Sequence, residues 1–204
     1  MNAQRFTADA LRNPHNGAIL DALPALALPD AWLVAGCLFQ TVWNLRAGRA
    51  AEAGIRDYDL FYFDDGDLGE AGEAAVQQRV QAVFAQRGIV IEVKNQARVH
   101  TWYHDWFGHD YPALRNARDG IDRFLVLGTC VAMQPGAIDP VVYAPYGLDA
   151  IYSGELAPNP LCDHPALYLR KAQDYAARWP GLHVTGASRS VLHPSTEPQP
   201  TSTP

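Results

Sequence analysis

The sequence has few cysteines, no surplus of basic residues and no long apolar run. Its three cysteines, Cys37, Cys130 and Cys162, lie far apart without a CxxC spacing, which argues against a disulfide framework or a zinc site. The formal net charge is −6, so no global positive field would hold extended nucleic acid. No segment approaches the roughly 20 apolar residues that span a bilayer, and the N-terminus has no apolar targeting core. We therefore expect a cytoplasmic protein with reduced thiols and no membrane partner.

The length and composition suit one globular domain of ordinary size. The chain has 204 residues, of which 48% are hydrophobic and 19% are charged. We assign residues 1–184 to this domain because no linker or repeat divides them. Residues 185–204 include HPSTEPQPTSTP, which is too polar to bury apolar surface, so a disordered tail is predicted there.

Strand and helix patterns alternate along the first half of the chain. Apolar runs predict strands over 31–35, 56–63 and 89–94, and apolar stripes predict helices over 37–45 and 73–86. In the second half, we predict helices over 98–106, 112–121 and 165–178, and a hairpin around 134–140. This order indicates a sheet with helices packed on it, of the α/β or α+β class.

Acidic residues interrupt one of the predicted strands in an unusual way. Asp57 and Asp59, in IRDYDLFYFDD, lie two apart and therefore share one face of that strand. Glu92, in IVIEVK, would approach them if the two strands are neighbours. Three carboxylates about 5 Å apart repel by roughly 3 kcal/mol per pair, so a shared proton or a cation is needed among them. Oxygen ligands with open positions suit Mg²⁺ or Mn²⁺ and substrate phosphates.

Other polar residues near these strands are candidates for substrate binding. Gly36 allows a close approach to the N-terminus of the helix that follows it, where Gln40 and Asn44 share one side. The richest polar group is Lys94, Asn95, Arg98 and His100. Lys94 and Arg98 could bind phosphate oxygens or close ion pairs, and His100 could act in acid–base chemistry or in packing. For the aromatic group Trp102, Tyr103, Trp106 and Phe107, the pattern favours the core over stacking on a base.

Several strings of the sequence resemble a bacterial family of nucleotidyltransferases within the DNA polymerase beta-like superfamily. They are AGCLFQTVWN, DYDLFYFD, EVKNQARVHTWY and APYGL, which lie within residues 8–184. The resemblance implies an α+β nucleotidyltransferase fold, a mixed β-sheet with packed helices. It also implies that Asp57 and Asp59 are metal ligands and that Glu92 is the third carboxylate, which helps to activate an acceptor hydroxyl. The expected turn is Gly36-Cys37, where the superfamily has Ser or Gly in the second place.

The resemblance therefore predicts a metal-dependent transfer of a nucleoside monophosphate from an NTP to an unknown acceptor, with Mg²⁺ or Mn²⁺ as cofactor. Two alternatives use the same residues. Glu92-Val93-Lys94 with an upstream aspartate also fits the PD-(D/E)xK pattern of metal-dependent nucleases. A catalytically degenerate fold could instead bind a nucleotide or a partner protein without turnover, and Cys37 in the turn is compatible with that.

Overall fold

The computed structural model describes residues 1–186, in which a five-stranded mixed sheet forms the centre of the fold. Its strands are β1 (Trp32–Val34), β2 (Tyr58–Tyr62), β3 (Ile91–Asn95), β4 (Ala132–Gln134) and β5 (Val141–Tyr143). The order across the sheet is β3-β2-β1-β4-β5, with β2 and β3 parallel and the other pairs antiparallel. A smaller parallel pair consists of β6 (Glu155–Leu156) and β7 (His183–Val184).

Eight α-helices surround these strands within the described residues. They are α1 (Ala3–Ala10), α2 (Pro14–Leu26), α3 (Gly36–Arg46), α4 (Glu70–Phe84), α5 (Tyr103–Phe107), α6 (Ala117–Ile121), α7 (Asp149–Ser153) and α8 (Pro165–Arg178). Short 3₁₀ helices cover Ala85–Arg87, Gln96–Thr101 and Leu127–Thr129. No helix in the described part of the chain has the length and apolar character needed to cross a membrane. The mixed sheet and the helices packed on it make the fold α+β, as predicted.

The two faces of the sheet bury different residues because side chains alternate along each strand. The larger core contains Leu33, Tyr58, Leu60, Ile91 and Val93 together with residues of the longer helices. The smaller core lies on the other face, between Trp32, Val34 and residues of α6 and its surroundings. Asp59 and Phe61 alternate with the buried residues of β2 and are only partly buried.

The strand predictions over 31–35, 56–63 and 89–94 are confirmed, as are the hairpin and the helix over 165–178. Two helix predictions are wrong in extent. The segment 98–106 is a 3₁₀ helix followed by α5, and the side chain of Asn95 caps the 3₁₀ helix by accepting from the Ala97 N–H. Residues 112–116 are not helical, because α6 begins after Asn116, whose side chain accepts a hydrogen bond from the Asp119 N–H.

The predicted tail, 185–204, lies outside the described residues from position 187 onward. Its first residue is still part of the fold. The Thr185 N–H donates to the carbonyl oxygen of Leu156, and the Thr185 carbonyl oxygen accepts from the Tyr168 hydroxyl at 2.6 Å.

Candidate active site

The three predicted carboxylates belong to two adjacent parallel strands. Asp59 is the register partner of Glu92, so both side chains leave the sheet on the same face. Asp57 lies two residues before Asp59, immediately upstream of β2. On its other side, Asp59 pairs with Val34, the last residue of β1, directly before the turn into α3. The carboxylates therefore lie where the carboxyl end of β1 meets the amino ends of β2 and β3.

Electrostatics single out Asp59 among the three. Burial, followed by the nearby charges of Asp57 and Glu92, raises the pKa of this carboxyl from 3.8 to about 7. Lys171 and Lys94 oppose the shift. Asp59 therefore exchanges its proton near neutral pH unless a cation binds beside it.

The donor chemistry of this corner fits Mg²⁺ or Mn²⁺, since carboxylate oxygens are the ligands that both ions prefer. The three-carboxylate cage is nevertheless not assembled. Within residues 1–186, no group of three or more His, Cys, Asp or Glu side chains is arranged to hold a metal ion. Asp57 and Asp59 could hold a magnesium ion that completes its shell with water and substrate phosphates.

The turn between β1 and α3 carries backbone strain at an unexpected residue. Ala35, which precedes Gly36, has φ +61° and ψ −133°, a region that residues with a side chain rarely adopt. Gly36 leaves room for Gln40, since a Cβ there would lie 2.6 Å from Nε2 at the flexible end of that side chain. Strain at such a turn is typical of functional sites, and this one lies beside Asp59.

Cys37, the second residue of α3, is fully buried. Its thiol donates to the carbonyl oxygen of Val34 at 3.4 Å. Burial, followed by the charge of Asp59, raises the pKa of this thiol well above its ordinary value, so it is neutral at physiological pH. The side chain therefore cannot contact a substrate, and only the backbone of residue 37 could.

Three of the predicted substrate residues are structural instead. Asn44 is 0% exposed, donates to the carbonyl oxygens of Ala51 and Ala53, and accepts from the Trp179 indole. Asn95 is 1% exposed and makes four hydrogen bonds that hold the loop after β2 and the 3₁₀ helix after β3. Arg98 forms a 2.7 Å ion pair with Glu73 and is almost buried. These polar atoms already have partners, so they do not reach a ligand.

The other predicted residues differ in how close they come to the carboxylates. Gln40 lines the cavity that contains Asp57, and its Oε1 accepts from Arg178 at 3.1 Å. Lys94 is exposed on the Glu92 face of β3 and lowers the pKa of Asp59. His100 is partly buried in the 3₁₀ helix and lines neither of the two cavities beside the aspartates.

Two adjoining cavities border the aspartates. The larger, about 650 Å³, contains Asp57 and is lined on one side by the face of α8 that includes Arg170, Lys171 and Arg178. The smaller, about 290 Å³, contains Asp59 with Arg123 and is otherwise mostly apolar. Both are lined by Leu125, Lys171 and Tyr175, so a single cleft runs past both carboxylates.

Sequence reasoning missed the basic residues of this cleft. Arg170 and Lys171 lie on an exposed face of an amphipathic helix, where charge is ordinary and carries no functional signal by itself. Sequence reasoning also placed the aromatic group after β3 in the core, which is wrong for two of its members. Trp106 is 78% exposed and Phe107 is 44% exposed, and Phe107 lines the larger cavity.

The comparisons with known proteins agree with this arrangement. One solved structure, determined by NMR and described as revealing a CCA-adding enzyme head domain, is 25% identical to the chain. It superposes with a TM-score of 0.73 and covers 90% of this chain and 95% of its own. A search of curated proteins found no significant match. The fold and the acidic corner thus define a nucleotidyltransferase of the polymerase beta-like class.

The family of this chain is identified by a protein-family model that matches most of its sequence. A family described as nucleotidyltransferase matches residues 21–184, which includes both aspartates, Glu92 and the whole of α8. The chain therefore belongs to this nucleotidyltransferase family.

Proposed function

We propose that the protein transfers a nucleoside monophosphate from an NTP to an acceptor hydroxyl, with Mg²⁺ or Mn²⁺ as cofactor. The observation that carries this proposal is the register of the two parallel strands. Asp59 faces the same way as Glu92, two residues after Asp57, at the edge of a cleft large enough for a nucleotide. Family membership and the fold of the CCA-adding enzyme head domain support it.

Each of the three carboxylates has its own role in the proposed reaction. Asp57 and Asp59 would hold the cation, which when bound neutralises charge on the phosphates and aligns them for attack. Glu92, exposed on the neighbouring strand, would accept the proton of the acceptor hydroxyl. The acceptor oxygen then bonds to the α-phosphorus. The bond between the α-phosphorus and the oxygen that bridges it to the β-phosphorus breaks, and pyrophosphate leaves. Asp59 must be ionised to hold the cation, so cation binding would release the proton of any Asp59 that is still protonated.

The test is pyrophosphate release from each of the four NTPs with Mg²⁺ or Mn²⁺ and a panel of hydroxyl compounds, with mass spectrometry of the products. We expect Asp57→Asn and Asp59→Asn each to lower the rate by at least about a hundredfold, because a metal ligand is lost. Asp21→Asn, an exposed change on α2 with the same loss of charge, should leave the rate unchanged.

Other outcomes would decide between this proposal and its alternatives. Cleavage of a phosphodiester substrate in place of transfer, lost on Glu92→Gln and Lys94→Ala, would favour the nuclease. Binding of NTP without turnover on any acceptor would favour a degenerate, binding-only protein. Family membership favours transfer over both.

A further inference from the structure

The larger cavity collects positive charge in a protein whose net charge is −6. Its lining has four basic residues, Arg56, Arg170, Lys171 and Arg178, against two acids, Asp57 and Asp174. Clefts that concentrate one sign of charge attract ligands of the opposite sign. The cavity is therefore suited to an anion, although the chain as a whole repels one.

Three of these four basic residues have no ionic partner. Among residues 1–186, Arg56, Arg170 and Lys171 take part in no ion pair, and all three are exposed. Lys171 lies over the ring of Tyr175, with Nζ 5.7 Å from its centroid, at the junction of the two cavities. These charges are available to a ligand.

Arg178 is different because its guanidinium is already engaged. It donates to Oε1 of Gln40 and to the carbonyl oxygen of Gly54, and it lies 4.3 Å from the ring centroid of Trp179. Arg178 therefore fixes the wall of the cavity. Arg56, Arg170 and Lys171 are left as the binding charges.

Another part of the cavity lining is apolar and aromatic. Tyr103 and Phe107 of α5 have ring centroids 4.6 Å apart, and Leu125 and Leu167 complete this part. Tyr103 is partly buried and Phe107 is exposed, and both rings line the cavity. An aromatic pair beside a cluster of cations is a combination that suits nucleotides, since bases stack on rings and phosphates bind cations.

We propose that the larger cavity binds the nucleoside triphosphate, with its phosphates on Arg56, Arg170 and Lys171 and its base against Tyr103 and Phe107. This inference rests on the proposed function and adds α8 to the Gly36-Cys37 turn as a phosphate-binding element. Asp57 lies in the same cavity, next to the phosphates, and the smaller cavity beside Asp59 is left for the acceptor.

The test is isothermal titration calorimetry on the full-length protein with two probes, inorganic tripolyphosphate and a non-hydrolysable NTP analogue. The double variant Arg170→Ala, Lys171→Ala should weaken binding of both probes at least tenfold. The control Arg12→Ala, Arg87→Ala removes the same charge from exposed positions outside the cavity and should change affinity less than twofold. Phe107→Ala should weaken the NTP analogue several-fold and leave tripolyphosphate unchanged.

The outcomes separate this inference from the proposed function. Wild-type affinity in the double variant, for both probes, would overturn the α8 phosphate site even if transfer still depended on Asp57 and Asp59. Equal weakening by the control variant would also overturn it, because the effect would then be one of net charge. Loss of probe binding in the double variant alone, in a protein that transfers nothing, would refute the proposed function and keep the site.

Discussion

Asp59 links the proposed chemistry of this protein to its stability. It is a carboxylate placed between Val34 and Glu92 in the sheet and beside Asp57, and its pKa rises to about 7 from burial and these acidic neighbours. Because the pKa in the folded protein exceeds that in the unfolded chain, ionising Asp59 costs folding free energy. That cost is absent below about pH 4, grows as the pH rises toward 7, and is constant above.

We therefore expect Asp59→Asn to stabilise the protein at pH 8 but not at pH 4. The gain should be about 2 kcal/mol, less than the full shift implies because the side chain is partly exposed. This corresponds to a rise in melting temperature of roughly 5 °C for a chain of this size. Thermal unfolding of Asp59→Asn and of the control Asp21→Asn at both pH values checks it. A gain equal at pH 4 and pH 8 would show that the charge of Asp59 is not the cause.

Individual residues also show how far sequence reasoning reaches. The period of two placed Asp57 and Asp59 on one face of their strand, because alternation is a local property of the strand. Glu92 was expected near them only if the two strands are neighbours, and the pairing of Asp59 with Glu92 meets that condition. Asn44 and Arg98 were assigned to substrate because nothing local reveals their partners. Arg98 pairs with Glu73, 25 positions away, and Asn44 with Trp179, 135 away. The sequence alone does not show whether a polar side chain faces a ligand or a buried partner.

Three side chains of helix α4 cover one edge of the sheet by hydrogen bonding to its backbone. Strand β3 is an edge strand, yet its backbone groups bond to side chains of α4 spaced four residues apart, Glu73, Gln77 and Gln81. Gln77 accepts from the Val93 N–H at 2.7 Å and donates to the Ile91 carbonyl oxygen at 2.6 Å. These side chains replace the missing neighbouring strand, and so hold the strand that carries Glu92.

Replacing Gln77 with leucine should therefore destabilise the protein by about 3 kcal/mol, because two partly buried backbone groups lose their partners. The neighbouring change Gln78→Leu is on the exposed side of α4 and should cost less than about 0.5 kcal/mol. Urea unfolding measures both, and hydrogen exchange should show faster exchange at the Val93 amide in Gln77→Leu alone. Equal stability of the two variants would mean that water replaces the glutamine at the edge.

The α4 side chains at the edge of the sheet and the basic residues of the cleft show why sequence periodicity alone does not predict the site. The spacing of Glu73, Gln77 and Gln81 is visible in the sequence, but it reads as the polar face of any surface helix. The same holds for Arg170 and Lys171 on α8. Both become meaningful only when the tertiary fold brings an edge strand or an acidic corner opposite them, which no local period encodes.

The molecule as a whole joins distant parts of the chain at the cleft. The aspartates follow α3 in the chain, whereas the basic wall comes from α8, more than a hundred positions later. An aromatic cluster packs α3 against α8 and the residue that follows it, and it consists of Phe39, Trp43, Tyr175 and Trp179. At its centre, the Trp179 indole donates to Oδ1 of Asn44 at 2.8 Å. This hydrogen bond couples α3 to the residue that follows α8.

A double-mutant cycle should reveal that coupling. Trp179→Phe leaves the buried Oδ1 of Asn44 without a partner, and Asn44→Leu leaves the carbonyl oxygens of Ala51 and Ala53 unsatisfied, so each should cost about 2–3 kcal/mol. The double variant should lose at least about 1 kcal/mol less than the sum, because the shared hydrogen bond is then counted once. Urea unfolding gives the free energies of unfolding of all four proteins. Strictly additive losses would mean that α3 and α8 are held together by ring packing alone, with no energetic link through the Trp179–Asn44 hydrogen bond.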